Sequence, residues 1–363
     1  MLERALKIKD LLSKKSIFLL GPRGTGKTSL IKQQLSNQAL IVNLLSSDFY
    51  FRLSTRPAEL VQIVESSKHK IIVIDEVQKI PALLDEVHNL IEEKNLRFLL
   101  TGSSARKLRR GGANLLGGRA WDATLSPLTF QEIPSFDLKR YLRFGGLPAV
   151  YLSDFPDEEL NAYVNTYLTE EIAAEGLVRD LPRFARFLQK SALSNGMILN
   201  FSEIASDLGV SPTTVREYYR ILEDTLVGHM IEPLRKSGSR KEVSTAKFYF
   251  FDIGVSNTLR GVKNIEEGTP YFGNTFEQFI GQELRAAISY LRLHLPLNFW
   301  RTHSQHEVDF VIGDMLAVEV KATTSANMRM VKGLQSINVS FKIKHRCLIS
   351  RDPVERIEDG ITH

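Results

Sequence analysis

At 363 residues the chain is too long for one ordinary domain, and two or three are expected. With 43% hydrophobic and 25% charged residues it has ample material for a folded core, whereas its single cysteine, Cys347, excludes an intrachain disulfide and no apolar run reaches the length of a membrane span. The net charge of +5 favours nucleic acid only weakly, and a cytoplasmic location is the default expectation.

Residues 1–12 alternate charged and apolar side chains at helical spacing, unlike a signal peptide. The apolar run Ser16-Ile-Phe-Leu-Leu20 then enters Gly21-Pro-Arg-Gly24-Thr25-Gly26-Lys27-Thr28, which fits the phosphate-loop pattern and continues through Ser29 as a helix. Gly21, Gly24 and Gly26 let the backbone N–H groups curl around phosphates. Lys27 is expected to reach the β- and γ-phosphates of ATP, and the Thr28 hydroxyl to bind Mg²⁺. A buried parallel strand, Ile71-Ile-Val-Ile74, ends in Asp75-Glu76, which places both carboxylates at the ligand crevice of an open sheet. Asp75 is the expected metal partner and Glu76 the expected general base. A further strand, Arg97-Phe-Leu-Leu-Thr101-Gly-Ser-Ser104, offers Thr101 or Ser103 as a γ-phosphate sensor, or merely a capped turn. Beyond it lies a basic stretch, Arg106, Lys107, Arg109, Arg110 and Arg119. Arg119, fixed between glycines and a following strand, is the candidate for completing the ATP site from a neighbouring copy.

These motifs, with Gly118-Arg119 and Ser126-Pro-Leu-Thr-Phe-Gln-Glu132, resemble an AAA-type ATPase. More closely, their order is similar to a bacterial and archaeal family that joins such an ATPase to a C-terminal restriction-endonuclease-like domain. Tyr141-Leu-Arg-Phe-Gly-Gly-Leu-Pro148 resembles that family's linker motif. The resemblance implies a catalytic-glutamate core with sheet order 5-1-4-3-2. It also implies self-association, with a homo-oligomeric hexameric ring as the expected form.

From 161 to 189, helical periodicity broken at Gly176 and Pro182 suggests a small bundle. Residues 200–222 then read as a helix-turn-helix: Ser202 caps a short helix, Gly209 supplies the turn, and Ser211-Pro212 opens a second helix. Its polar face, Thr213, Thr214, Arg216, Glu217 and Arg220, is the candidate DNA contact. A winged helix would add a hairpin between 230 and 251 whose basic tip, Arg235, Lys236, Arg240 and Lys241, meets the phosphate backbone.

The C-terminal part reads as helix 274–293, strands 298–302, 307–312 and 316–321, helix 326–336 and strand 345–350, the core order of the restriction-endonuclease-like fold. Alternation puts Val308, Phe310, Ile312, Leu316, Val318 and Val320 on the core face, and Glu307, Asp309, Glu319 and Lys321 on the other. If Asp309 stands opposite Glu319, the two bind Mg²⁺ together while Lys321 orients water or stabilises developing negative charge, with Glu277 as a further ligand. His303 and His306 read as surface residues.

The expected fold class is α/β: an AAA-type P-loop ATPase core (1–135), a helical lid and winged helix-turn-helix domain (136–260), and a restriction-endonuclease-like α/β domain (261–363). The expected function is ATP-hydrolysing processing of branched or structured DNA in recombination or repair, with ATP and Mg²⁺ as cofactors, DNA and other copies of the chain as partners, and no membrane. The competing reading is an ATP-dependent switch or scaffold with a protein partner and a silent nuclease-like domain. A third is a defence or toxin-like nuclease gated by ATP.

Overall fold

The computed structural model describes residues 2–103, 116–168, 172, 178, 180–235, 245–303 and 306–363. The chain divides into two compact units, Met1–Pro134 with Asp224–Val227, and Ser135–Glu223 with Gly228–His363. Ser104, Arg106, Lys107, Arg109, Arg110, Gly176, Lys236, Arg240 and Lys241 lie outside the described residues. Among those described, no helix is long and apolar enough to cross a membrane.

The first unit is built on five parallel strands, β1 (Ser16–Leu20), β2 (Ala39–Asn43), β3 (Ile71–Asp75), β4 (Arg97–Gly102) and β5 (Ala120–Thr124). Their order is 5-1-4-3-2, the order the resemblance implied. The central strands are continuous apolar runs because helices cover both faces of such a sheet. Ile72, Ile74, Phe98 and Leu100 pack with Leu83, Leu84, Val87 and Leu90 of helix Leu83–Lys94, whose apolar residues recur at helical spacing. That helix stops where Asn95 turns left-handed at φ 52°. Because all five strands run in one direction, the carboxyl ends of β1 and β3 bring the phosphate loop and Asp75 to the same edge.

The second unit carries an eight-stranded sheet, β12-β13-β11-β10-β9-β8-β6-β7. Here β6 is Gly228–Pro233, β7 Lys247–Phe250, β8 Leu297–Arg301, β9 Glu307–Ile312, β10 Leu316–Lys321 and β11 His345–Ser350, with the short β12 (Ile357–Glu358) and β13 (Ile361–Thr362) at the edge. The hairpin expected as a wing is not free-standing: β6 runs parallel to β8, pairing Glu232 with Asn298 and Pro233 with Phe299. All four residues of β7, which pairs with the other side of β6, are buried.

Helices Leu181–Leu193, Phe201–Leu208 and Pro212–Asp224 form the expected helix-turn-helix with one helix before it. Edge-to-face rings seal them, Phe184 on Tyr218 at 5.0 Å and Phe187 on Tyr219 at 4.9 Å. Two details differ from expectation. Asn200, not Ser202, caps the short helix, its side chain accepting the Glu203 N–H at 3.3 Å. Pro182 starts a helix rather than breaking one, with Asp180 as its cap. Gly209 does take the left-handed turn, at φ 62°.

Candidate ATP site and a buried acidic cluster

The phosphate loop curls through two left-handed glycines, Gly24 at φ 80° and Gly26 at φ 92°, into the helix Lys27–Leu35. Gly21 has a different need: a Cβ there would stand 2.6 Å from the Leu125 carbonyl oxygen. Lys27 is buried, its ammonium donating to the Gly21 and Pro22 carbonyls at 2.8 and 3.1 Å. Thr28 and Ser29 are exposed at the helix start, and the Thr28 hydroxyl donates to Asp75 Oδ2 at 3.0 Å. This pair of hard oxygen donors beside a phosphate loop is a set that Mg²⁺ accepts.

Asp75 is buried and its other oxygen accepts the Thr101 hydroxyl. That hydroxyl in turn accepts the Glu76 backbone N–H at 2.9 Å, so Thr101 braces both carboxylate residues from the neighbouring strand. Glu76 sits in left-handed backbone at φ 64°, a conformation costing about 1 kcal/mol or more for a residue with a Cβ and one that concentrates at working sites. The Gln78 amide donates to the Glu76 carboxylate and, at 3.3 Å, to Ser103. Thr101 therefore touches Asp75, and Ser103 lies beside the Glu76 partner.

Sequence reasoning missed the brace behind the loop. Arg4 is buried, with Nη1 on the Thr25 carbonyl and Nη2 on the Ser126 carbonyl, both at 2.7 Å. Its partner Glu132, 3.1 Å from Nε, also accepts the N–H groups of Ala5 and Thr129. The capping-box spacing Thr129-x-x-Glu132 was the available signal.

Arg119 pairs with Glu92. It immediately precedes Ala120, which stands beside Ser16 at the amino end of β1, so within its own chain it lies at the sheet edge opposite the phosphate loop.

In the second unit, Thr213, Arg216, Glu217 and Arg220 are exposed along one face of Pro212–Asp224, and Arg235 is exposed at the end of the hairpin. Thr214 is half-buried because its N–H and hydroxyl engage Ser211. Arg216 lies over the Phe201 ring at 5.0 Å.

The strands β9 and β10 pair in the register that sets Asp309 opposite Glu319. The charged face of this hairpin is only partly solvated, however. Val311 and Ala317, on the same face, pack with Leu334 and Ile337 of helix Lys332–Ser340, and Asp309 and Glu319 are only 6% and 7% exposed. Asp309 Oδ2 accepts the Val320 N–H at 2.8 Å. Lys321 lies 2.5 Å from Glu319 Oε1 and 4.0 Å from Asp309 Oδ2. Glu277, on helix Pro270–Tyr290, accepts the Tyr249 hydroxyl at 2.6 Å. The unforeseen member is Lys247 of β7, buried, 2.8 Å from Glu307 and 3.4 Å from Glu277. Burial, reinforced by Glu277 and Glu319, pushes the Asp309 carboxyl well above its ordinary range. Burial works against the Lys247 ammonium too, but Glu277, Tyr249, Asp309 and Glu307 outweigh it and hold it well above its ordinary value. Among the described residues no group of three or more His, Cys, Asp or Glu side chains is arranged to hold a metal ion. Glu277 turns to Tyr249, Asp309 Oδ2 to a backbone N–H and Glu319 Oε1 to Lys321, whereas Glu319 Oε2 is buried without a hydrogen-bond partner among the described residues.

Residues 13–134 match the family described as AAA domain. Residues 135–266 and 272–361 match two families described as domains of unknown function, DUF8612 and DUF4143. An uncharacterized protein of Mycobacterium tuberculosis is 26% identical over 348 residues, spanning 92% of this chain and 76% of its own. One from Haemophilus influenzae is 25% identical over 376 residues, spanning 94% and 90%. Among solved structures, the Walker-type ATPase of Pyrococcus abyssi aligns over 70% of this chain and 93% of its own, with 17% identity and a TM-score of 0.47. The domain match and the loop geometry together make the first unit an AAA-type P-loop ATPase core that binds ATP.

Proposed function

We propose that this is a Mg²⁺-dependent ATPase that couples nucleotide turnover to DNA engagement through its helix-turn-helix. The observation that carries the reading is the convergence of Thr28, Asp75, Thr101 and Glu76 at the mouth of the phosphate loop. In this reading Gly21, Gly24, Thr25, Gly26 and Ser29 line the phosphate cradle, and Lys27 exchanges its carbonyl partners for phosphate oxygens. Thr28 and Asp75 hold Mg²⁺, which when bound neutralises charge on the β- and γ-phosphates. Glu76, positioned by its left-handed backbone and by Gln78, polarises the attacking water. Arg119 acts only across an interface between copies, because its own loop is at the far edge of the sheet. A hexameric ring would supply that interface.

DNA is the proposed partner because the second helix of the helix-turn-helix presents Thr213, Arg216 and Arg220 to solvent, the side chains and placement such modules use. Branched or structured DNA of recombination and repair is the proposed substrate class, in the cytoplasm, with the division 1–135, 136–260 and 261–363 as the working organisation.

The test is ATP turnover measured with duplex, single-stranded and four-way DNA, alongside particle size with and without ATP. Stimulation by at least one DNA form is expected. Turnover indifferent to all three would remove the coupling and leave an ATP-dependent switch acting on a protein partner.

A further inference from the structure

The acidic cluster of the second unit sits where a divalent ion would be expected, yet the molecule has filled it with its own cations. Four carboxylates, Glu277, Glu307, Asp309 and Glu319, come from one helix and two strands. Three cations answer them: Lys247 between Glu277 and Glu307, Lys321 on Glu319, and Arg301 at 3.3 Å from Glu307. Lys247 comes from β7, outside the helix-and-strand order that defines the nuclease-like core, and its side chain is 5% exposed. A buried ammonium is strongly disfavoured unless paired, so its presence in the aromatic run Ala246-Lys-Phe-Tyr-Phe-Phe251 needs a partner, which the carboxylates supply. The Phe299 ring, 5.3 Å below the ammonium, completes its surroundings.

We propose that Lys247 is a built-in counter-ion standing in the place of a divalent cation. The cluster then binds no metal, cuts no phosphodiester, and instead fastens hairpin β6–β7 to the sheet. A tethered ammonium resembles a bound ion in charge but cannot be exchanged, and it cannot coordinate and polarise a water as metal-assisted hydrolysis requires. The same lysine bridges Glu277 and Glu307, which come from different elements. The inference does not rest on the ATPase reading, since every residue in it belongs to the second unit.

The experiment uses the full chain without nucleotide, in an Asp75→Asn background that removes the carboxylate assigned to the divalent ion at the ATP site. Thermal unfolding is followed during titration with Mn²⁺, and nicking of supercoiled plasmid is assayed in parallel. The wild-type cluster is expected to give no saturable Mn²⁺ stabilisation and no nicking. Lys247→Ala is expected to melt lower without metal and to regain stability with Mn²⁺, by roughly 3–6 °C at saturation. That regain should vanish when Glu277→Gln is added. Mn²⁺ stabilisation of the wild-type cluster that Asp309→Asn abolishes, or nicking that the same change abolishes, would overturn the proposal. So would a folded Lys247→Ala protein indifferent to Mn²⁺. Should Lys247→Ala fail to fold, Lys247→Gln is read the same way, and the wild-type titration decides independently.

Discussion

The two units each bring paired carboxylates to a sheet, and they use them in opposite ways. In the first unit Asp75 and Glu76 leave the carboxyl end of a parallel strand and face a phosphate loop, with Thr28 and Thr101 as small, neutral supports. In the second, Asp309 and Glu319 lie mid-sheet under a helix, and their neighbours are lysines. The first pair is supported by neutral hydroxyls, whereas the second lies beside the Lys321 ammonium. On the reading proposed above, the charge of the neighbours, hydroxyls in one unit and lysines in the other, is what distinguishes the two sites.

The largest effect expected on this comparison is at Glu76. Glu76→Gln keeps the shape of the side chain and its Gln78 contact but cannot take a proton, so ATP binding should persist while turnover falls about 10²–10⁴-fold. Nucleotide binding by fluorescence and phosphate release measured on the same sample check it. Turnover near wild type would assign the base elsewhere. Asp309→Asn in the second unit should leave ATP turnover unchanged.

Next is the buried Arg4–Glu132 pair, which has the opposite logic within the first unit. Glu132→Ala leaves a buried guanidinium without its carboxylate and strips the Ala5 and Thr129 N–H groups of an acceptor. A loss of about 3–5 kcal/mol is expected by denaturant unfolding. Replacing both partners at once, Arg4→Met with Glu132→Leu, should cost markedly less stability but still raise the KM for ATP, because the Thr25 carbonyl loses its anchor. If the double change left KM unaltered, the brace would be purely structural.

What the sequence made legible follows from how far apart the partners are along the chain. The phosphate loop is contiguous, and β9, β10 and β11 begin and end where alternation and turn residues placed them. The register bringing Asp309 opposite Glu319 was also within reach, since a three-residue loop fixes it. Alternation tells which residues share a face but not what covers that face, so a helix was expected after β10 but not its packing against the face of Asp309 and Glu319. Lys247 and Arg4 were missed for a related reason: each finds its carboxylates 30 to 128 residues away. A lone lysine inside an aromatic strand was the one local sign of the first.

A third contrast concerns pH. Asp252 is buried beside the Tyr141–Pro148 motif, accepting the Gly146 N–H at 2.8 Å and the Val255 N–H at 3.1 Å. Burial raises its carboxyl to about 6, with those backbone N–H groups opposing the rise. A raised carboxyl stabilises the folded state most below the unfolded value near 3.8, and that contribution is lost as pH rises through about 6. Relative to Asp252→Asn, the wild-type second unit should lose on the order of 2–3 kcal/mol between pH 4 and pH 7. A difference flat in pH would mean the carboxylate is charged throughout, held by its N–H donors.

The smallest effects are expected on the exposed helix face, where a DNA contact and a solvated surface must be told apart. Arg216 and Arg220 carry the same charge, but Arg216 lies over Phe201 whereas Arg220 is exposed at the next turn. Arg220→Ala should leave stability within a few tenths of a kcal/mol, weaken DNA binding a few-fold, and reduce the salt slope of log K by about 1. Arg216→Ala should do the same to binding and also cost about 0.5–1 kcal/mol of stability through the lost cation–π contact. Fluorescence anisotropy across a salt series, paired with denaturant unfolding, separates the two. A salt slope unchanged by both substitutions would make this face a solvated surface. The first unit's ATPase would then need a different route to any partner.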